Sequence, residues 1–208
     1  MARLRAAGAV LLGKTTTPEF GWKGVTDNPC GEVARNPWDP SATAGGSSGG
    51  AAVAAALGMG ALHLGTDGGG SIRIPAAFTG IVGVKASFGR VPVYPFSGAW
   101  SLSHAGPMTR TVADAALMLR VVAGPDERDL YSLPADDVDY VRALRGSIRG
   151  LRVAWSDTLG FVEHVDPEVR AIAHEAARAF GELGCRLEEV DPGWPSPRQA
   201  WEQIFCGG

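Results

Sequence analysis

A chain of 208 residues that is 45% hydrophobic and 20% charged can bury a usable core as one domain, or two at most. Its formal net charge of −3 gives no electrostatic footprint for nucleic acid or for an anionic membrane. No stretch reads as a secretory leader or as the run of about 18 apolar residues that a membrane-spanning helix needs, so a cytoplasmic location is expected.

Residues 2–7 read as the end of a helix that Gly8 stops, and the apolar run 9–12 reads as a buried strand. A helix beginning at residue 2 lacks its own start, so Met1 is expected to fall in mid-domain. The letters from Gly8 to Thr15 satisfy GxxxxGK[ST], the phosphate-binding loop. The chemistry does not fit, because the four inner residues are the strand itself and Pro18 stands where a young helix needs its amides. Residues 15–40 are loop-rich, with Pro18, Pro29, Pro37 and Pro40. They carry Phe20, Trp22 and Trp38, which either line a pocket or cover a sheet edge.

Two serines sit inside separate glycine clusters: Ser47 in GGSSGG (residues 45–50) and Ser71 in GTDGGGSIR (residues 65–73). Glycine allows close approach to the main chain at an entropic cost that a merely structural loop would avoid, so two such clusters suggest a site. The letters GxSxG at Gly45 to Gly49 also match the nucleophile elbow of α/β-hydrolases, but the preceding NPWDPSATA supplies no buried strand. The alanine-rich run 50–57 reads as a helix. Residues 61–64 read as a short strand, residues 66–70 as a turn, and a helix starts near Ser71 with Pro75 in its first turn. Amides of Gly68, Gly69 and Gly70 could then point at a tetrahedral oxyanion beside the Ser71 hydroxyl.

His63 reads as a structural histidine of the strand. His104, His164 and His174 fall in loop or helical contexts without ligand spacing, and no metal is implied. Cys30, Cys185 and Cys206 are scattered, without CxxC spacing, and are expected to be small buried hydrophobes. Residues 111–122 form a helix with Thr111 as N-cap and Asp114 in its first turn. After a loop over 125–133, residues 152–155 read as a strand. Residues 166–183 read as an amphipathic helix with Val169, Ile172, Ala173, Ala176, Phe180 and Leu183 on one face and Gly184 beyond it. Residues 185–190 return as a strand, and a last helix falls within 194–205. Strand, helix and strand in alternation favour an α/β class.

The two serine clusters, together with IPAAFTG, GVKASFGRVP and AGPMTRTVADAA in that order, resemble the amidase signature family of serine hydrolases. The resemblance runs from LRAAGAVLLGKT to about Val190, with its core at about residues 44–90. It implies an α/β amidase signature fold, a mixed twisted sheet with helices on both faces, here cut at both ends so that residues 1–208 form a partial domain. By the same resemblance Ser71 matches the acyl-enzyme nucleophile and Ser47 the bridging serine, with Gly46–Ser47 a cis peptide. Gly68, Gly69 and Gly70 match the oxyanion turn, and Ser48, Asp67 and Arg73 match supporting positions, the last two as an ion pair. No cofactor is implied. The substrate would be a small-molecule amide, with no nucleic acid or membrane partner, and a homo-oligomer is left open. The family's general base is a lysine, yet this chain holds only Lys14, Lys23 and Lys85, none in the matching place. The alternative expectation is therefore an amidase-like domain without its base, serving for binding or assembly. A further departure is Ala86, where the family usually has proline.

Overall fold

The computed structural model describes residues 1–31, 33–96 and 100–207. The chain divides into two compact units, Met1–Leu144 together with the last residues from Ile204, and Arg145–Gln203.

The larger unit is built on a three-stranded antiparallel sheet. Its strands are β1 (His63–Asp67), β2 (Val82–Gly83) and β3 (His104–Thr109), in the order β1-β3-β2. The register pairs His63 with Met108 and Asp67 with His104 at the two ends of β1. Helix α1 (Ala2–Ala6) precedes the sheet, as do the helical turn Glu19–Gly21 and α2 (Gly49–Ala56). Helix α3 (Arg73–Thr79) follows β1, and α4 (Val112–Val122) follows β3. Two apolar clusters hold the unit together. Leu4, Val91, Met118 and Val122 tie α1 to α4. Ala51, Ala52, Ile72 and Met108 join α2, the start of α3 and the central strand. The alanines matter here, because small side chains let α2 lie close to Ile72, the residue after Ser71, and that residue is wholly buried.

Helix α4 begins as expected, with the Thr111 hydroxyl accepting from the Asp114 amide at 3.1 Å. At its other end the Arg3 guanidinium donates to the carbonyls of Val122 (3.0 Å) and Ala123 (2.6 Å), a cation placed where the helix dipole favours one. A short helix α5 (Tyr140–Ala143), capped by Asp139, lies beyond the 125–133 loop, in a stretch to which the sequence assigns no element.

In the smaller unit, β4 (Arg152–Trp155) and β5 (Arg186–Glu189) pair in parallel and are joined through α6 (Pro167–Glu182). Asp166 caps α6 by accepting from the amides of Glu168 and Val169, Pro167 occupies the first turn, and Gly184 beyond the end has φ +86. Helix α7 (Arg198–Cys206) is the last element. The α/β class holds, with antiparallel pairing in one sheet and parallel pairing in the other.

Four local expectations are corrected. Residues 9–12 form no strand, and Val10, Leu11 and Leu12 are exposed, because no strand among the described residues pairs with them. The strand expected over 61–64 lies two residues later and runs through Thr66 and Asp67, which read as turn, because pairing with β3 extends as far as His104. His104 accordingly begins a strand. The apolar face of α6 is not its packed face: Val169, Ile172, Phe180 and Leu183 are exposed, and Ala177 is the helix's buried residue. Cys30 and Cys206 are exposed rather than buried, one in an Asx turn on Asn28 and the other in the last turn of α7. Cys185 is half-buried and donates to the Ile148 carbonyl.

Candidate active site

Both glycine clusters lie in the larger unit, and main-chain geometry brings them together. The first, from Gly45 to Ser48, leads directly into α2. No helix starts at Lys14 or Thr15 and no strand leads into Gly45, so neither the phosphate loop nor the hydrolase elbow forms. The Gly46–Ser47 peptide is cis. A Cβ on Gly46 would stand 2.6 Å from the Val25 carbonyl carbon, so a side chain there would displace the neighbouring loop. That loop contributes Thr26, fully buried, whose hydroxyl donates to the Gly45 carbonyl at 2.9 Å and accepts from the Gly49 amide at 3.0 Å. Thr26 thus fixes both ends of the serine loop from a distant part of the chain.

Ser47 and Ser48 are both buried. The Ser48 hydroxyl accepts from the Thr66 amide (3.1 Å) and donates to the Thr66 carbonyl (3.3 Å), which ties the first cluster to β1. The Ser48 amide donates to the Ser71 carbonyl at 3.2 Å and ties it to the second. The turn Glu19–Gly21 comes up to the same place, where a Cβ on Gly21 would lie 3.6 Å from Ser47 Oγ. Of the aromatics in this loop, Phe20 is exposed, Trp22 meets Phe205 edge to face at 4.6 Å, and Trp38 donates from its indole to the Thr79 carbonyl at 2.8 Å. No hydrogen bond joins the hydroxyls of Ser47 and Ser71 among the described residues.

The second cluster is organised by Asp67, whose side chain is wholly buried. Its Oδ1 accepts from the Gly70 amide (2.8 Å) and from Arg73 Nη2 (2.9 Å). Its Oδ2 accepts from Arg73 Nε (2.9 Å) and from the amides of Ile72 (3.2 Å) and Arg73 (3.3 Å). A bidentate guanidinium and three main-chain amides satisfy both oxygens. Burial pushes the Asp67 carboxyl up, but the Arg73 hydrogen bonds and charge and the amides outweigh it and hold it below the usual range. The Gly70 amide is therefore engaged by Asp67, while the Gly69 amide has no hydrogen-bond partner among the described residues.

Two residues to which the sequence gives no role at the site complete the surroundings. Lys85 Nζ lies 3.0 Å from His104 Nε2, and His104 Nδ1 lies 2.7 Å from the Leu102 carbonyl and 3.2 Å from the Asp67 carbonyl. Burial draws the Lys85 ammonium below its usual range, the Asp67 charge opposing and the Arg73 charge reinforcing. Neither residue carries a spacing signal, because His104 comes to Asp67 from β3 and Lys85 comes to His104 from the segment after β2. His63 Nε2 lies 3.4 Å from the Gly60 carbonyl, and burial lowers its pKa.

A glycine-flanked hydroxyl beside main-chain amides, within an α/β chain, offers the chemistry of a serine nucleophile. The amidase family model matches residues 1–207. An acylamidase of Rhodococcus erythropolis is 48% identical over 208 residues, which cover 99% of this chain and 43% of that protein. A glutamyl-tRNA(Gln) amidotransferase subunit from Chloroflexus aurantiacus is 47% identical over 199 residues, which cover 95% of this chain and 40% of that one. The crystal structure of a bacterial aryl acylamidase of the amidase signature family superposes with a TM-score of 0.89 at 40% identity, over 98% of this chain and 43% of that one. The chain belongs to the amidase signature family. It spans about two fifths of the length of these relatives.

Proposed function

We propose that this stretch carries the nucleophile of an amide hydrolase. Ser71 Oγ attacks the carboxamide carbonyl and forms the C–O bond, and its proton passes through Ser47 to the departing nitrogen as the C–N bond breaks. Ammonia or an amine leaves, and water then cleaves the acyl ester, giving the acid and restoring the hydroxyl. The negative charge on the carbonyl oxygen is held by amides of the Gly68, Gly69 and Gly70 turn, with Gly69 foremost because Asp67 already engages Gly70. Asp67 and Arg73 keep that turn in shape, and Ser48 joins the two serine segments. The observation that carries this reading is the Ser48 amide to Ser71 carbonyl hydrogen bond, which makes one locus of two remote glycine clusters. The identity to an acylamidase supports a small-molecule amide as substrate.

A second reading rests on the lysines. Lys23 is paired with Asp27 at 2.6 Å, Lys85 with His104, and Lys14 is exposed, so none stands ready as the base that draws the proton through Ser47. On that reading the described stretch binds ligand or a complementary segment, and the similarity to an amidotransferase subunit makes such a partner reasonable. Labelling with a fluorophosphonate followed by peptide mass spectrometry separates the two. An adduct on Ser71, absent from the Ser71→Ala protein, supports the hydrolase; folded but unlabelled protein supports the binding module.

A further inference from the structure

We propose that Lys85 and His104 are positioning residues for the glycine turn, with Lys85 holding the His104 imidazole in the tautomer whose Nδ1 hydrogen is donated to the Asp67 carbonyl. The proposal rests on the reading of that turn as the one that presents Ser71.

Asp67 is the last residue of β1 and the residue before Gly68, so whatever fixes its carbonyl fixes the direction in which the turn leaves the sheet. Register places His104 directly across from it. His104 Nδ1 faces two carbonyl oxygens, those of Leu102 and Asp67, which can only accept. His104 Nε2 faces the Lys85 ammonium, which can only donate. One arrangement satisfies all three contacts: hydrogen on Nδ1 and a lone pair on Nε2. The opposite tautomer would set a lone pair against two carbonyls and an N–H against an ammonium.

Lys85 comes from the segment that follows β2, whose pairing with β3 continues through the Val84 amide to the Pro107 carbonyl at 3.0 Å. Lys85, two residues past the end of β2, thus reaches His104 of β3, which lies across from Asp67 of β1 at the end of the sheet nearest the turn. Phe88 packs edge-on against the imidazole at 5.6 Å and steadies the ring. Asp67 is held at both ends, its carboxylate by Arg73 and the turn amides and its carbonyl by His104. Preorganised donors act only if they are held in place, so the pair works through the turn rather than on substrate.

Four variants test this: Lys85→Met, Lys85→Arg, His104→Asn and His104→Gln. Long-range 15N–1H spectra of the folded wild-type protein are expected to show His104 protonated on Nδ1 alone. Lys85→Met is expected to give mixed tautomers and shifted Gly68 to Gly70 amide resonances, while Lys85→Arg, which still donates, keeps both. Asparagine at 104 can place an N–H where Nδ1 stood and should keep the glycine resonances; glutamine cannot and should move them. Fluorophosphonate labelling of Ser71 should slow about tenfold in His104→Gln and change little in His104→Asn. An Nε2-protonated wild type overturns the proposal, as does Lys85→Met with unchanged tautomer and glycine resonances, or equal perturbation by asparagine and glutamine. The spectra need no turnover. Wild-type Ser71 that resists labelling while the tautomer results hold would therefore remove the nucleophile reading alone.

Discussion

Asp67 uses both carboxylate oxygens and its carbonyl, and no other residue of the site is so fully committed. Replacing it with asparagine removes the charge that holds Arg73 and one acceptor for the turn amides. A loss of about 2 to 3 kcal/mol in stability is expected, at the lower end for a buried pair because Arg73 is more than half exposed. Urea unfolding of Asp67→Asn measures it. The pH dependence follows from the sign of the shift. The folded-state pKa lies below the unfolded value of about 4, so the stabilisation is complete above about pH 4 and drains away as pH falls from there through the folded-state pKa. Urea midpoints of the wild type should therefore fall more steeply between about pH 5 and 3 than those of Asp67→Asn; equal slopes would show that another carboxylate sets acid stability. At this scale the site was half legible. Ser47, Ser71, Asp67 and Arg73 stand in short glycine-marked runs, and the amidase resemblance supplied the roles expected of them. Thr26, Lys85 and His104 reach the site across long sequence separations, and no local pattern marks those contacts, although Lys85 lies in the run GVKASFGRVP.

The elements the sequence announced best are those with chemical punctuation. Helix α4 has Thr111 at its cap and α6 has Asp166 and Pro167 at its start and Gly184 past its end, and all of these do in the structure what side-chain chemistry dictates. Replacing Thr111 with alanine should cost about 1 kcal/mol, read as a lower urea midpoint with unchanged slope. Strand β3 was hidden for the opposite reason. It contains Gly106 and Pro107, residue types that disfavour strands, yet a Cβ on Gly106 would run into the Val84 carbonyl, so close strand approach demands the glycine. Ile72 illustrates how packing reaches the site. It is fully buried against Ala51, Ala52 and Met108 immediately after Ser71. Ile72→Ala should destabilise by about 2 to 5 kcal/mol and slow labelling of Ser71 as well, because the cavity would open directly under the turn.

On the scale of the whole chain, the apolar surface left uncovered is where sequence and structure part. Residues 9–12 and the outer face of α6 have the patterns of buried elements, yet Val10 is 81% exposed, Leu12 78% and Ile172 65%. Hydrophobic patterning states that a face is to be covered and not what covers it. The isolated chain should therefore associate with rising concentration, and Val10→Asp combined with Leu12→Asp should suppress that association in light scattering. Unchanged scattering would place the sticky surface elsewhere. No helix among the described residues is long and apolar enough to cross a membrane.

The most direct measurement is intact-mass spectrometry of the folded chain mixed with an activated aryl amide and quenched within one turnover. One acyl group is expected, mapped to Ser71, reduced in Ser47→Ala and abolished in Ser71→Ala. An acyl group on any other residue, or aryl amine released at the same rate by Ser71→Ala, would contradict it.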